Sequence, residues 1–178
     1  MDILLKREWQ ILKKDIEISG ENIDPLSLAK IILNWGKKLE NYKDNKIRTN
    51  YIKYLLKFQD LDIEEYNFKK RWYDFNNLLK MEILRIDNDT DRLIIELYEV
   101  LTEILIFKSN IEGPIESYYY RVYTDLKKER IYYISDLGGE VLDINLKEIE
   151  LREKVVPAPS KLIDKYDIQV CQEFDTYS

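Results

Sequence analysis

Residues 89–123 read DTDRLIIELYEVLTEILIFKSNIEGPIESYYYRVY, and the spacing of their apolar side chains changes within the stretch. Up to Phe107, apolar residues recur every three or four positions, the period of an α-helix with one buried face. From Tyr118 onward they alternate by two, the period of a β-strand. Gly113-Pro114 separates the two patterns. The stretch therefore predicts an α+β fold with a helical domain over residues 1–110, a linker over residues 111–117 and a small β-rich domain over residues 118–178.

The residues before the linker predict five helices, most of which begin at capping residues. The first lies between Asp2 and Gly20, and the second has Pro25 at its first helical position. Asp62 and Glu65 have the spacing of a capping box at the start of the fourth, and Asp89 precedes the fifth. The apolar stripes of the first four helices are Leu5, Trp9, Leu12 and Ile16; Leu28, Ile32, Trp35, Leu39 and Tyr42; Ile47, Tyr51, Tyr54, Leu55 and Phe58; and Phe68, Trp72, Phe75, Leu79, Ile83 and Ile86.

We expect these helices to pack as a bundle in which the fourth and fifth meet along one seam. Apolar positions of the fifth helix follow alternating steps of four and three, which is typical of a helix packed against neighbours at a shallow angle. The predicted core seam or subunit interface consists of Trp72, Phe75, Leu79, Leu93, Leu97 and Val100.

The C-terminal part predicts short strands. The first is the alternating stretch around Tyr120, and residues 130–135 form the second, followed by a turn at Gly138-Gly139. Leu142, Ile144 and Leu146 share one face of a third strand. Near its end the chain predicts a strand at Val155-Val156 stopped by Pro157, a short helix from Pro159 to Tyr166, and a closing strand through Ile168, Val170 and Phe174. We expect this small domain to dock partners through Tyr119, Arg121, Val155, Val156 and Leu162.

Composition excludes several common chemistries. The 178 residues include no histidine and one cysteine, so Ser-His-Asp and Cys-His catalysis, imidazole ligands and disulfides within the chain are excluded. Asp87-Asn88-Asp89-Thr90-Asp91 resembles the start of an EF-hand loop, but Arg92 and Tyr98 occupy the positions of its Gly and Glu, and a helix N-cap explains it better. We expect no catalytic, cofactor or metal site. An enzyme with a carboxylate-held magnesium ion stays open as an alternative.

Basic residues concentrate in one segment of this acidic chain. The net charge of the whole chain is −6, yet residues 37–57 hold seven basic residues against two acidic ones. Three tyrosines lie among them, and basic surfaces with aromatic platforms hold single-stranded nucleic acid. The competing interpretation is a solvated pair of helices whose tyrosines face the core. The candidate nucleic-acid contacts are Lys37, Lys38, Lys43, Lys46, Arg48 and Lys53.

The order of parts resembles subunits of the archaeal GINS complex. The stretch Glu153 to Pro157, followed by Lys161 to Lys165, is similar to the end of the GINS B-domain, in which a strand leads into a proline, a short helix and a final strand. The stretch from Tyr66 to Ile86, followed by the helix carrying Ile94-Ile95-Glu96-Leu97-Tyr98, is similar to the GINS A-domain. The A-then-B order is that of one of the two archaeal subunit types.

The resemblance implies a non-catalytic scaffold. GINS subunits of two types assemble as a 2:2 tetramer, which joins the MCM replicative helicase to a RecJ-like nuclease homologue. A cytoplasmic, nucleoid-associated protein with weak DNA contact and no membrane association is therefore expected. The alternative is a nucleic-acid-binding regulatory protein that uses residues 37–57.

Overall fold

The computed structural model describes residues 3–19, 25–40, 52–66, 84–86, 89–113, 119–135 and 139–170. Helices come first and a small antiparallel sheet follows, so the predicted α+β class is confirmed. The chain divides into two compact units, an N-terminal unit of Met1–Ile104 and a C-terminal unit of Leu105–Ser178.

The described part of the N-terminal unit contains four α-helices and one 3-10 turn. They are α1 (Ile3–Ile18), α2 (Pro25–Glu40), α3 (Ile52–Leu56), the 3-10 turn Ile63–Glu65 and α4 (Thr90–Leu105), whose last residue belongs to the other unit. Residues 84–85 are also helical. The predicted stripes of α1 and α2 are buried wherever they are described, since Leu5, Trp9, Leu12, Ile16, Leu28, Ile32, Trp35 and Leu39 are each at most 5% exposed.

Two of the predicted helix starts are confirmed, because local capping determines them. α2 begins at Pro25, whose missing N–H costs nothing at the first helical position. α4 begins directly after Asp89, whose Oδ1 accepts a hydrogen bond from Arg92 N at 3.1 Å. The acidic stretch that resembles a calcium loop therefore contains a helix N-cap at Asp89.

The predicted start of the fourth helix at Asp62 is wrong. Asp62 Oδ1 accepts a hydrogen bond from Glu64 N, and the turn ends at Tyr66, which has an extended backbone with φ −113° and ψ 90°. A side chain that caps a turn satisfies the same donors whether or not the helix continues. Phe68, Trp72, Phe75, Leu79 and Ile83 lie outside the described residues. The end of the fifth predicted helix also differs from the structure. The helical spacing of apolar residues continued to Phe107, but α4 ends at Leu105.

The described sheet of the C-terminal unit has five strands. They are β1 (Lys108–Glu112), β2 (Tyr119–Asp125), β3 (Ile131–Ser135), β4 (Val141–Leu142) and β5 (Val155–Pro157), and every pairing is antiparallel. β2 lies between β3 on one edge and both β1 and β5 on the other. On that second edge, the backbone of Val122 bonds to residues next to both β1 and β5. Val122 N donates to Phe107 O, and Val122 O accepts from Ala158 N.

Two predicted boundaries in this unit differ from the structure. Lys108–Glu112 is a strand, although residues 111 and 112 belong to the predicted linker. Residues 143–147 form a turn, so the predicted strand through Ile144 and Leu146 stops at Leu142. The reason is Asp143, whose Oδ1 accepts hydrogen bonds from Asn145 N and Lys147 N, so the chain reverses and Ile149 N donates to Val141 O of β4.

The end of the chain follows the predicted order as far as it is described. β5 leads through Pro157 into α5 (Ser160–Lys165), and Val170 then forms an antiparallel bridge with Ser109 of β1. Asn110 N donates to Gln169 O beside that bridge. Phe174 lies outside the described residues.

Candidate functional site

The predicted seam is described on one side only. Leu93, Leu97 and Val100 of α4 are at most 1% exposed, as core residues are. The other side of the seam lies outside the described residues; it consists of Trp72, Phe75 and Leu79. The packing of these three side chains against α4 stays a prediction.

Three of the six predicted nucleic-acid contacts are described, and all three are exposed. Lys37 and Lys38 lie in the last turn of α2, and Lys53 lies on α3. Lys38 Nζ is 3.2 Å from Glu8 Oε2, an ion pair without hydrogen-bond geometry, so part of its charge is compensated. Lys43, Lys46 and Arg48 lie outside the described residues.

A basic-aromatic cluster is present on α3 and on the turn that follows it, where Lys57 lies. Lys53 Nζ and Lys57 Nζ lie 5.2 and 5.0 Å from the centroid of the Tyr54 ring, within the range of cation–π attraction. The Tyr54 ring also lies beside the ring of Tyr98 of α4, with ring centroids 5.2 Å apart. Tyr54 is half-buried, so the cluster presents two lysines and part of one ring to solvent.

The predicted docking set is not one surface. Tyr119, Val155 and Val156 are half-buried, and Lys108 Nζ lies 4.9 Å from the Tyr119 ring centroid. Arg121 and Leu162 are each 6% exposed. Arg121 Nη1 donates to Ile106 O at 3.2 Å, inside the unit. The side chains of Arg121 and Leu162 are therefore buried in the folded unit, and a docking role for the five residues stays a prediction.

Two turns of the C-terminal unit share one construction, in which an aspartate begins the turn. Asp125 Oδ1 accepts from Glu129 N and Asp143 Oδ1 accepts from Lys147 N, four residues further on in each case. The third residue after each aspartate has a positive φ, 58° at Lys128 and 62° at Leu146. The first residue after each aspartate is an exposed aliphatic one, Leu126 or Ile144.

Burial and hydrogen bonding oppose each other at Asp125. Burial of the side chain, which is 4% exposed, would raise the pKa of the carboxyl. Hydrogen bonds from Arg130 N and Glu129 N, both 2.8 Å long, and from the Thr124 hydroxyl outweigh it, so the pKa is lowered. Asp125 is therefore a charged structural group of the β2–β3 turn.

A cleft lies between the two turns, and we call it the turn cleft. Glu129 and Arg130 form one wall, and Asp143 and Ile144 form the other. The space amounts to about 340 Å³. Its remaining lining residues are Ile131, Tyr132, Ile149 and Tyr166.

Hydrogen bonds hold the side chains around the turn cleft. The Tyr132 hydroxyl donates to Glu153 Oε1, and Arg130 Nη1 lies 3.4 Å from the same oxygen. The pKa of Tyr132 is raised, mainly by burial and to a smaller extent by the hydrogen bond to Glu153. At the far end the Tyr166 hydroxyl donates to Glu129 O at 2.9 Å. The guanidinium of Arg130 is thus paired with a carboxylate next to the cleft.

A second buried tyrosine lies on β2. The Tyr120 hydroxyl donates to Glu140 Oε2 at 2.5 Å. Burial, together with that bond and the charges of Glu140 and Glu148, raises the pKa of Tyr120 to about 12. The phenol is neutral at physiological pH with or without this shift, and its hydroxyl donates the hydrogen bond.

The acidic clusters do not form a metal centre in the part of the chain that is described. No group of three or more metal-ligating side chains converges there. Three acidic residues of α4 lie near one another, Glu96, Glu99 and Glu103. The pKa of Glu99 is raised, mainly by partial burial and to a smaller extent by the charges of the other two. Like charges at this spacing destabilise a helix slightly.

Sequence reasoning missed Asp125 and Asp143, the residues that shape the turn cleft. Both are followed by an aliphatic residue and then by polar ones, in Asp125-Leu126-Lys127-Lys128 and Asp143-Ile144-Asn145. Aspartate is a frequent first residue of turns because its side chain bonds to backbone N–H groups further on. That signal was available, but the alternating apolar pattern around Ile144 indicated a strand instead.

Comparisons with known proteins identify no relative. No protein-family model, no curated protein and no solved structure matches this chain. Among the described helices, none has the length and apolar character needed to cross a membrane.

Proposed function

We propose that this chain is a non-catalytic subunit of a protein assembly of the GINS kind, a scaffold that joins an MCM helicase to a RecJ-like partner. The observation that carries the proposal is the end of the C-terminal unit. There β5, Pro157, α5 and the Val170 bridge follow in order after a helical unit. This is the order of parts on which the resemblance rests.

The use of polar groups also supports an assembly role. Asp89 caps α4, Asp125 and Asp143 hold turns, and Arg121 bonds to a backbone carbonyl. These side chains are committed to the fold.

The mass of the native particle tests the proposal. The chain has a mass of 21.6 kDa, and it should form a four-chain particle when mixed with the second subunit type from the same genome. Multi-angle light scattering after size exclusion measures this mass. An unrelated acidic protein of similar size is the control for nonspecific association. Two separate peaks at the single-chain masses would contradict the proposal.

A second candidate function is single-stranded nucleic-acid binding through α3. The observation that favours it is the Tyr54 ring with two lysine ammonium groups about 5 Å from its centroid. Lysines supply phosphate contacts, and the half-buried Tyr54 ring adds aromatic surface beside them. The exposed Lys37 lies on α2, the helix against which α3 packs, and adds to the local positive charge.

Salt-dependent binding to a single-stranded oligonucleotide tests this second function. Each phosphate contact contributes a slope of about −0.7 to the dependence of log affinity on log salt. The double substitution Lys53→Gln and Lys57→Gln should therefore make the slope less steep by about 1.4. Lys6→Gln with Lys14→Gln, on exposed positions of α1, is the matched control. Equal slopes for the two double variants would exclude α3 as the binding site.

A further inference from the structure

We propose that the turn cleft binds a short segment of a partner protein in which a lysine or arginine stands next to an aliphatic residue. This inference rests on the proposed function, since it assigns the partner-binding surface of an assembly subunit. It does not use the docking residues predicted from the sequence.

The cleft exists because β4 is short. Within β3, β4 pairs with Tyr133 and Ile134, and the chain then turns back at Asp143 to run beside β4, where Ile149 N donates to Val141 O. The space beside Ile131 and Tyr132 is thereby left without a covering strand among the described residues. Its volume of about 340 Å³ lies at the low end of the range for ligand pockets, so it suits one anchoring side chain with its neighbours.

The interior of the cleft favours an aliphatic anchor. Ile131 and Tyr132 are buried in the sheet and Ile149 is half-buried, while Ile144 is 42% exposed at the lip. An aliphatic side chain entering the cleft would remove apolar surface of Ile144 from water, which favours binding.

The charges at the cleft favour a cation beside that anchor. Two acidic residues, Glu129 and Asp143, line the cleft, one from each turn. The one cationic lining group, Arg130, is paired with Glu153. A lysine or arginine of the partner would compensate the carboxylates, whereas an acidic segment would be repelled.

The walls are held in place before any partner binds. Glu129 N and Arg130 N are bonded to Asp125, and the backbone of the other wall is bonded to Asp143. A site held by its own backbone bonds loses little conformational freedom on binding, and this preserves affinity for a short segment.

Selection from a displayed library of random short peptides tests the inference on the full chain. We expect enrichment of sequences that place Lys or Arg beside Leu, Ile or Val. A synthetic peptide of the enriched sequence should bind at least about tenfold more weakly to Glu129→Lys. Ile144→Ser should weaken it by a similar factor. Glu112→Lys, the same charge change at an exposed position of β1, is the matched control and should bind like the wild type.

The other outcomes each overturn the inference. Selection of acidic or purely apolar peptides, or of none, would do so. Equal binding by Glu129→Lys and wild type would do so as well. Self-association that Glu129→Lys abolishes would identify a second copy of this chain as the occupant instead. Circular dichroism of each variant confirms that the fold is kept. The particle-mass experiment is independent, so a failed selection beside a four-chain particle removes only this inference.

Discussion

Asp125 and Asp143 show how single carboxylates shape the C-terminal unit. Each accepts hydrogen bonds from two backbone N–H groups of its own turn, and each turn carries an exposed aliphatic residue. Such bonds fix the turn locally, because they close short loops that cost little entropy. Residues of both turns line the turn cleft.

Removal of the Asp125 carboxylate should destabilise the protein. Asp125→Ala leaves Glu129 N and Arg130 N without their acceptor, and we expect the free energy of unfolding to fall by about 1–3 kcal/mol at neutral pH. Chemical denaturation measures it. Asp164→Ala, at an exposed position of α5, is the control and should change little.

The effect of Asp125 should depend on pH. The fold lowers the pKa of this carboxyl, so its stabilisation is fully present above the unfolded pKa of about 3.9 and is lost as pH falls through the folded pKa. The difference in free energy of unfolding between wild type and Asp125→Asn should therefore shrink between pH 7 and about pH 3. A difference that grows on acidification would contradict the assignment of Asp125 as a charged group.

Leu146 occupies a backbone conformation that suits glycine. Its φ of 62° is costly for a residue with a Cβ, and its side chain is 52% exposed, so little packing is lost on removal. Leu146→Gly should raise the free energy of unfolding by about 0.5–1 kcal/mol. Ile144→Gly, in the same turn but without a positive φ, should lower it. Thermal melting of the two variants distinguishes these effects.

At the scale of elements, α2 contains a glycine where a helix favours alanine. Gly36 is buried in the C-terminal half of α2, which packs on α3. A Cβ at this position would lie 3.6 Å from Gln59 Nε2 and 3.9 Å from Leu55 Cβ, which are ordinary contact distances. The space between the helices therefore accommodates a methyl group.

Gly36→Ala should stabilise the N-terminal unit. Alanine is favoured over glycine in a helix interior by about 1 kcal/mol, and the added methyl meets its neighbours without overlap. The free energy of unfolding should rise by up to that amount in chemical denaturation. Gly36→Leu, which overfills the same space, should lower it. A loss of stability in Gly36→Ala would mean that α2 and α3 pack more closely than these distances indicate.

At the scale of the whole molecule, β1 belongs to the C-terminal unit. Ser109 Oγ donates to Tyr120 O at 2.7 Å, Val122 N donates to Phe107 O at 2.9 Å, and Arg121 bonds to Ile106 O. Residues 106–112 thus complete the second edge of β2. A cut at Gly113-Pro114, inside the predicted linker of residues 111–117, would separate β1 from its sheet.

Two fragments test this boundary. The fragment of residues 106–178 keeps β1 and should unfold cooperatively, although domains of this size are only marginally stable. The fragment of residues 114–178 leaves the buried Arg121 without its carbonyl acceptor and should melt at a lower temperature or lack a transition. Circular dichroism melting compares them. Identical transitions would show that β1 contributes nothing to the sheet.

Part of the candidate surfaces could be predicted from the sequence. Lys37, Lys38 and Lys53 are exposed as expected, since long charged side chains seldom lie in a core. Arg121 is the counterexample, because a carbonyl of the preceding segment accepts its hydrogen bond inside the unit. The turn cleft could not be predicted, because its walls come from turns whose proximity depends on the pairing of β3 with β4.

The sequence by itself determined the α+β order, the stripes of α1 and α2, the start of α4 at Asp89 and the strand–Pro157–helix order near the end. These features depend on residue period and on bonds between residues a few positions apart. Only the tertiary structure decided that Asp62 starts a short turn, that residues 108–112 form a strand and that Arg121 is buried. Each of these depends on which distant backbone groups are available as partners, and local spacing does not contain that information.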